Sequence, residues 1–167
     1  ADFQIPCRWI PDMGYQYGYP QYNYYPPGPF YLGEFFHLLG FQFIDAVKIL
    51  FILGFITSAF AMYLFLRNWL NEKAGLMGAI LYSYAPYKAV DVYVRGALNE
   101  FWSLTFFPLA FWASYKLIKE NKKINLAYFS LSVAGLLLTH NLMTLIFIPV
   151  LAVWVLTNIL IKKTNRN

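Results

Sequence analysis

Five strongly apolar segments succeed one another from residue 44 onward, separated by short polar breaks. They cover residues 44–66, 73–84, 98–117, 125–139 and 142–161. A helix needs about 20 predominantly apolar residues to cross the hydrocarbon core of a bilayer, and the first, third and fifth segments have this length. The pattern predicts an all-α polytopic membrane protein with about five transmembrane helices.

The second apolar segment is shorter than a membrane span. Pro86 follows it closely, and proline removes a backbone donor and clashes with the preceding helical turn. We therefore predict that this helix ends inside the outer leaflet and leaves the residues after it below the outer surface.

Basic residues fall in alternate polar breaks, and this fixes an orientation, because Lys and Arg beside spans are retained in the cytoplasm. The basic breaks contain Arg67 and Lys73; Lys116, Lys119, Lys122 and Lys123; and Lys162, Lys163 and Arg166. They carry nine Lys or Arg residues against two Glu, a net charge of +7, whereas the rest of the chain has four against six acids, or −2. We expect a multi-pass protein of the cell inner (plasma) membrane with a cytoplasmic C-terminus.

Composition agrees with this class. The chain of 167 residues is 59% hydrophobic and 13% charged, which is too apolar for an ordinary soluble domain. The net charge of +5 follows from the topology, so the lipid bilayer is an expected partner and nucleic acid is not. Cys7 is the single cysteine, which excludes an intramolecular disulfide and a cysteine-type metal cluster.

The first 43 residues are expected to form an outer-face Tyr/Pro-rich loop with an interfacial helix, ahead of a transmembrane core in 44–167. Seven tyrosines lie within residues 15–31, the aromatic loop: Tyr15, Tyr17, Tyr19, Tyr22, Tyr24, Tyr25 and Tyr31. Prolines restrict its backbone and dense rings bury area, so we expect a folded loop. It can serve as an aromatic belt at the headgroup level or as a platform for ligand stacking.

Residues 30–39 predict a short helix at the membrane interface. Glu34 and His37 lie three residues apart on one face of it. They could share a divalent metal, but two ligands are half a site. The sequence identifies no cofactor and no metal site, and it leaves open whether a divalent metal binds.

Residues 82–100, the charged segment, hold Lys88, Asp91, Arg95 and Glu100 between two apolar segments. Charge at membrane depth is costly and marks function or internal pairing. Asp91 and Arg95 are four residues apart and share a helix face, and Glu100 begins the third span, where the helix dipole favours a carboxylate. Either the four charges pair and balance to zero, or Arg95 grips a phosphate with Lys88 as an added point charge.

His140 and Asn141 lie in a tight turn between the last two predicted spans, on the outer side. A turn favours Asn and tolerates His, so turn chemistry alone can explain the pair. Their position beside the charged segment and the aromatic loop also favours a shared polar site.

Four stretches of the chain carry a resemblance to one family. They are RWIPD (8–12), GYQYGYPQYNYYPPGPFYLGE (14–34), APYKAVDVYVRGALNE (85–100) and LTHNL (138–142). They resemble the bacterial 6-pyruvoyl-tetrahydropterin-synthase-related membrane domain, which is similar to glycosyltransferases of the GT-C superfamily. Those enzymes take a sugar from a polyprenyl-phosphate donor on the outer face of the cell envelope.

The resemblance implies that the outer loop and the later motifs share one cavity. Its expected catalytic carboxylate is Asp12 or Asp91. The expected substrate-binding residues are Arg8, Tyr19, Tyr22, Tyr24, Lys88, Arg95, Glu100, His140 and Asn141. Arg95, with Lys88, is expected to bind the lipid phosphate, the tyrosine loop to stack on sugar, and His140 and Asn141 to make polar contacts.

One departure from the GT-C pattern is visible. Such enzymes carry an acidic motif just after their first span, and that motif would precede Ala1, so the chain is expected to be a fragment of a catalytic core, truncated at both ends. Two other classes stay open: a multi-pass transporter and a non-catalytic scaffold. A transporter site lies near the bilayer midplane, whereas the ionisable residues here fall at span ends.

Overall fold

The structure, a computed structural model, describes residues 9–164. The helices are α1 (Gln21–Tyr24), α2 (Gly28–Leu38), α3 (Phe43–Trp69), α4 (Glu72–Ser83), α5 (Pro86–Ala89), a π-helical segment (Val90–Arg95), α6 (Leu98–Glu120), α7 (Lys123–Thr139) and α8 (Asn141–Thr164). Within 9–164 there is no β-strand, and Ile10 and Tyr19 form an isolated antiparallel bridge. The all-α class is confirmed.

Helix α6 is the centre of the bundle, because it packs against α3, α7 and α8. One buried cluster, Leu50, Phe101, Trp102 and Leu104, joins α3 to the first half of α6. A second cluster, Ala110, Leu136, Phe147 and Leu151, joins the later part of α6 to α7 and α8. The two clusters fix α6 along its length, and its first turn contains Glu100 of the charged segment.

The faces of the long helices that point away from the bundle are apolar. In α3, Ile52, Ile56 and Phe60 are each more than half exposed. Helices α3 and α8 are both long and apolar enough to cross a bilayer, with mean hydropathies of 2.3 and 2.4. Exposed apolar faces on such helices are stable against lipid, which supports a helical membrane protein.

The structure supports the expectation of about five transmembrane helices only in part. Within the described range, α3 and α8 alone combine the length and the hydropathy of a span. Helix α4 has 12 residues and α7 has 17, and α6 buries polar residues in its first half. At 1.5 Å per residue, α4 is about 18 Å long and cannot cross a core of about 30 Å.

The short α4 lowers the charged segment relative to the start of α3. Trp102 Nε1 donates a hydrogen bond to the Leu50 carbonyl at 3.2 Å, and the Thr57 and Thr105 hydroxyls lie 3.4 Å apart. We count 1.5 Å per residue from each of these two contacts back to the start of each helix. By this count α6 begins about 5–10 Å below the first residue of α3, measured along the helix axes. The first turn of α6 therefore lies below the end of the bundle at which α3 begins.

Candidate functional site

The backbone of the charged segment changes form twice in a short distance. Pro86 opens α5, and the π-helical segment follows it and ends at Gly96, whose φ of 59° lies in the left-handed region that glycine favours. The Ala97 amide donates to the Asp91 carbonyl at 2.8 Å, and α6 begins at Leu98. Single π-helical turns are frequent at functional sites.

Arg95 lies between two carboxylates. Its Nη1 donates to Asp91 Oδ1 at 2.9 Å, and its Nη2 donates to Glu100 Oε2 at 2.7 Å. The Tyr87 hydroxyl donates to the other oxygen of Glu100. The Asp91 side chain is 0% exposed, whereas that of Arg95 is 48% exposed. The sequence prediction that Asp91 and Arg95 share a face agrees with this geometry.

Two carboxylates share one guanidinium in this cluster, and their charges shift the pKa values of the groups around them. Burial and the neighbouring Glu100 raise the pKa of Asp91, and Arg95 opposes this shift. Burial and the hydrogen bond to Glu100 raise the pKa of Tyr87 to about 12. Asp91 Oδ2 has no hydrogen-bond partner within the described part of the chain. Asp91 is thus a buried carboxylate with one open acceptor atom.

Lys88 lies apart from this cluster. Its side chain is buried, its Nζ donates to Ser58 Oγ at 2.6 Å, and the same atom lies 3.9 Å from the centroid of the Tyr82 ring. No carboxylate lies within ion-pair distance of it among residues 9–164. The balanced group of four charges is therefore not what the structure contains.

The contact with Ser58 places the Lys88 amine deep in the bundle. Ser58 is the 16th of 27 residues in α3, about 22 Å below the first residue of that helix. The sequence locates Lys88 near a span end, but the short α4 runs back along only part of α3 and ends well below its first residue, so Lys88 follows at a deeper level. One ionisable group therefore reaches mid-bundle depth.

The aromatic loop is attached to the first turns of α6 and α8 and to the turn between α7 and α8. Asn99 Nδ2 of α6 donates to the Pro26 carbonyl at 2.7 Å, and Asn141 Nδ2 of α8 donates to the Tyr24 carbonyl at 3.3 Å. The rings of Tyr25 and His140 meet edge to face, with centroids 6.2 Å apart. The three outer pieces expected from the sequence do converge.

His140 caps α8 with its side chain. Its Nδ1 accepts a hydrogen bond from the Met143 amide at 3.2 Å, so the neutral ring carries its proton on Nε2. Burial lowers the pKa of His140, while the charge of Glu100 opposes that shift. Burial raises the pKa of Tyr25, and Glu100 adds to this rise. Both rings therefore lie within the electrostatic reach of the Arg95 cluster.

The loop residues expected to bind substrate have different surroundings. Arg8 lies outside the described residues, and Asp12 is exposed in the turn of residues 11–17. Tyr19 pairs through its backbone with Ile10, and Tyr22 packs edge to face on Phe30. Their roles remain predictions.

Two clefts open beside the aromatic loop. One of about 250 Å³ is lined by Ile10, Tyr22, Pro27, Phe30, Tyr31 and Glu34. The other, about 190 Å³, lies between residues 22–27 of the loop and the α7–α8 turn, with Leu137 and Asn141 in its wall. Tyr22 borders both clefts and Tyr24 borders the second, so these rings line open space.

Glu34 and His37 do not converge with a third ligand in the described range, which holds no group of three His, Cys, Asp or Glu side chains that could hold a metal. His37 Nδ1 lies 3.0 Å from the Phe41 carbonyl, and its ring stacks on Phe43 at 3.9 Å. These contacts anchor the end of α2 to the start of α3.

Sequence reasoning missed three residues that build the site: Ser58, Tyr87 and Asn99. Ser58 accepts a hydrogen bond from the Lys88 amine, and Tyr87 donates one to Glu100. Asn99 donates one to the Pro26 carbonyl of the loop. One signal was present for Ser58, because Thr57 and Ser58 interrupt an otherwise apolar span. Nothing in the sequence paired Asn99 with the distant Pro26.

The helical bundle and the polar cluster beside the first turn of α6 define a helical membrane protein with a candidate site at one end. Residues 22–166 match the sequence model of the family described as the 6-pyruvoyl-tetrahydropterin synthase related domain, a membrane protein, and the chain belongs to this family. Comparison with curated proteins and with solved structures gives no match.

Proposed function

We propose that this protein is the membrane core of a glycosyltransferase of GT-C type, which transfers a sugar from a polyprenyl-phosphate donor at the outer face of the membrane. The observation that carries the proposal is the half-exposed Arg95 held between Asp91 and Glu100 at the start of α6. The family resemblance of the surrounding motifs supports the same activity.

Arg95 retains capacity for a phosphate while it is bound to the carboxylates. A guanidinium has five N–H donors, and the two carboxylate bonds use two of them. The remaining donors can form a paired contact with phosphate oxygens, a geometry that arginine favours. Glu100 repels an anion at short range, and its bonds to Arg95 and Tyr87 reduce that repulsion.

The reaction needs a base and a stabilised leaving group. The acceptor oxygen forms a bond to the anomeric carbon, the bond from that carbon to the donor phosphate breaks, and the phosphate keeps the electron pair. Asp91 takes the hydroxyl proton through Oδ2, and its raised pKa suits a general base. Substrate binding must open a path to this buried oxygen, while Arg95 keeps its bond to the other carboxylate oxygen, Oδ1.

The aromatic loop supplies the walls for the sugar. Tyr22 and Tyr24 border the clefts, and aromatic faces pack against the apolar faces of sugar rings while the hydroxyl groups can hydrogen-bond. His140 and Asn141 lie beside the same loop. This assignment favours the platform interpretation of the loop over the belt.

Arg95→Lys in the full-length protein tests the activity. Lysine keeps the charge but cannot reproduce the planar fork, so we expect sugar transfer from a polyprenyl-phosphate donor to fall by about 100-fold or more. The measurement is radiolabelled transfer in proteoliposomes, with yield and thermal unfolding as checks on folding. The matched control is Arg67→Lys, at the opposite end of α3, which should behave like the parent.

Three results would count against this proposal. Normal transfer by Arg95→Lys removes Arg95 from the reaction. Loss of folding in that variant favours a scaffold stabilised by the ion pairs. A full-length parent that transfers no sugar from a panel of polyprenyl-phosphate donors overturns the activity itself.

We also propose that α4, α6 and α7 lie within the bilayer alongside α3 and α8, with the C-terminus in the cytoplasm. In a Cys7→Ser background, a membrane-impermeant thiol reagent applied to intact cells should label Tyr17→Cys and should not label Lys123→Cys or Thr164→Cys. The segregation of basic residues is the reason. Labelling of Lys123→Cys from outside would reverse the orientation and move the site to the cytoplasm.

A transporter is the second candidate, and the Lys88 amine favours it. A charge at the level of Ser58, midway along α3, is the depth at which transporters bind substrates. Such a protein would move a solute across sealed vesicles without changing its covalent bonds. Uptake without transfer in the same proteoliposomes would select this class.

A further inference from the structure

A groove lies between α6 and α8 at the end of the bundle opposite the charged segment. Its volume is about 700 Å³, within the range of about 300–1,000 Å³ that small-molecule sites occupy. Its lining residues are Leu117, Ile118, Asn121, Val155, Ile159, Lys162 and Lys163. No part of the glycosyltransferase proposal uses this groove.

The groove changes polarity along the helix axes. On α8, Val155, Ile159 and Lys163 are spaced four residues apart, which puts them on one face in order from the apolar interior to the helix end. Leu117 on α6 and Asn121, which ends that helix, follow the same order from apolar to polar. An occupant must therefore be apolar along most of its length and polar at one end.

The polar end of the groove is cationic and has no carboxylate partner in the part of the chain that the structure describes. Lys162 Nζ donates to the Ile118 carbonyl, which holds its charge at the rim, and Lys163 is exposed. Neither lysine forms an ion pair within residues 9–164. The neighbouring acid, Glu120, is already paired with Lys116 at 3.6 Å and with Lys122 at 3.2 Å.

We propose that this groove binds an anionic phospholipid of the surrounding bilayer, with the headgroup phosphate at Lys162, Lys163 and Asn121 and an acyl chain along Leu117, Val155 and Ile159. Charge complementarity selects an anionic headgroup, because basic pockets between membrane helices bind such lipids. The apolar wall selects a lipid over a free phosphate, which would leave that wall empty.

The test uses the purified full-length protein in mixed micelles that contain equal amounts of phosphatidylglycerol and phosphatidylcholine. Native mass spectrometry counts the lipids that each protein molecule retains. The parent should prefer phosphatidylglycerol, and Lys162→Gln/Lys163→Gln should lower this preference by about 25-fold, because each lysine near a lipid surface contributes roughly a fivefold effect. Lys163→Gln alone, which removes no hydrogen bond to the bundle, should lower it by about fivefold.

The matched control is Lys119→Gln/Lys123→Gln, which removes the same charge from the same end of the bundle at two residues that do not line the groove. It should retain the parent's preference. A second variant, Ile159→Trp, fills the apolar wall and keeps both lysines, so it should also reduce the retained phosphatidylglycerol. All variants are compared as folded, monodisperse fractions.

Each contrary outcome overturns the lipid site. An equal loss in the control means general attraction between a basic surface and anionic lipid. Equal retention of phosphatidylcholine means that the lysines do not select the headgroup. Displacement of the lipid by inorganic phosphate, with no effect of Ile159→Trp, means a free-anion site. Exclusion of lipid by a second copy of the chain, seen as a dimer mass, means a protein interface. None of these readouts depends on sugar transfer.

Discussion

Asp91→Asn in the full-length protein should abolish most sugar transfer without weakening the fold. Loss of a general base lowers rates by about 10²–10⁴-fold, and Asn keeps the shape of Asp but cannot accept a proton. The side chain is buried and Oδ2 has no partner among the described residues, so removing the charge takes away an unfavourable burial. We expect kcat to fall while the free energy of unfolding stays equal or rises.

The pH dependence of stability gives an independent readout of the same residue. Burial raises the folded-state pKa of Asp91 above its ordinary value of 3.8. A raised pKa contributes stability that is complete below the unfolded-state value and is lost as pH rises through the folded-state value. The parent should therefore lose stability as pH rises above about 3.8, and Asp91→Asn should lack this part of the profile.

Asp45→Asn is the matched control, because Asp45 is an exposed carboxylate paired with Lys48 at 3.1 Å, away from the Arg95 cluster. It should retain transfer. If Asp12→Asn loses transfer and Asp91→Asn keeps it, the base lies in the outer loop, as the resemblance also allowed. Unfolding of Asp91→Asn would instead make Asp91 a structural residue.

Ser58→Ala should lower the free energy of unfolding by about 1.5–3 kcal/mol, the range for a hydrogen bond to a charged group. The variant leaves the Lys88 amine buried beside the Tyr82 ring without its oxygen acceptor. The measurement is reversible unfolding of the purified protein in mixed detergent micelles. A serine at mid-bundle depth should thus matter far more than its size suggests.

Lys88→Met completes a double-mutant cycle with Ser58→Ala. Methionine has a similar length and carries no charge, so the double variant Ser58→Ala/Lys88→Met should recover most of the stability lost in Ser58→Ala. Thr57→Ala is the matched control, since its hydroxyl donates to the Leu53 carbonyl and lies 3.4 Å from the Thr105 hydroxyl, whereas the Lys88 amine donates to Ser58. Equal losses from Ser58→Ala with and without Lys88 would show that the two residues act independently.

The sequence predicted the helices well because apolar segments dominate this chain. Pro86 and the length of segment 73–84 correctly indicated a short helix, observed as Glu72–Ser83. The number of spans was less predictable. Helix α6 packs its polar residues inward against α3 and the loop, so hydropathy alone cannot separate a polar span from a buried helix.

The candidate site was predictable only where spacing along one helix decides a contact. Asp91 and Arg95 are four residues apart, and they pair as that spacing indicates. Lys88 failed this logic, because its long side chain can reach several faces and the acceptor, Ser58, lies 30 residues earlier in the chain. The loop contacts of Asn99 and Asn141 are likewise long-range and have no local sequence signal.

The position of Lys88 in the chain has a consequence for how the protein enters the membrane. Ser58 and Tyr82, which contact its amine, both leave the ribosome before it does. Helices α3 and α4 pack along one another as a hairpin, so this pair can offer an acceptor and a ring face when the lysine emerges. A nascent chain that ends before α6 already holds the oxygen acceptor and one of the two rings beside the amine, the other being Phe101 of α6, so part of the shelter for this charge forms before the rest of the bundle.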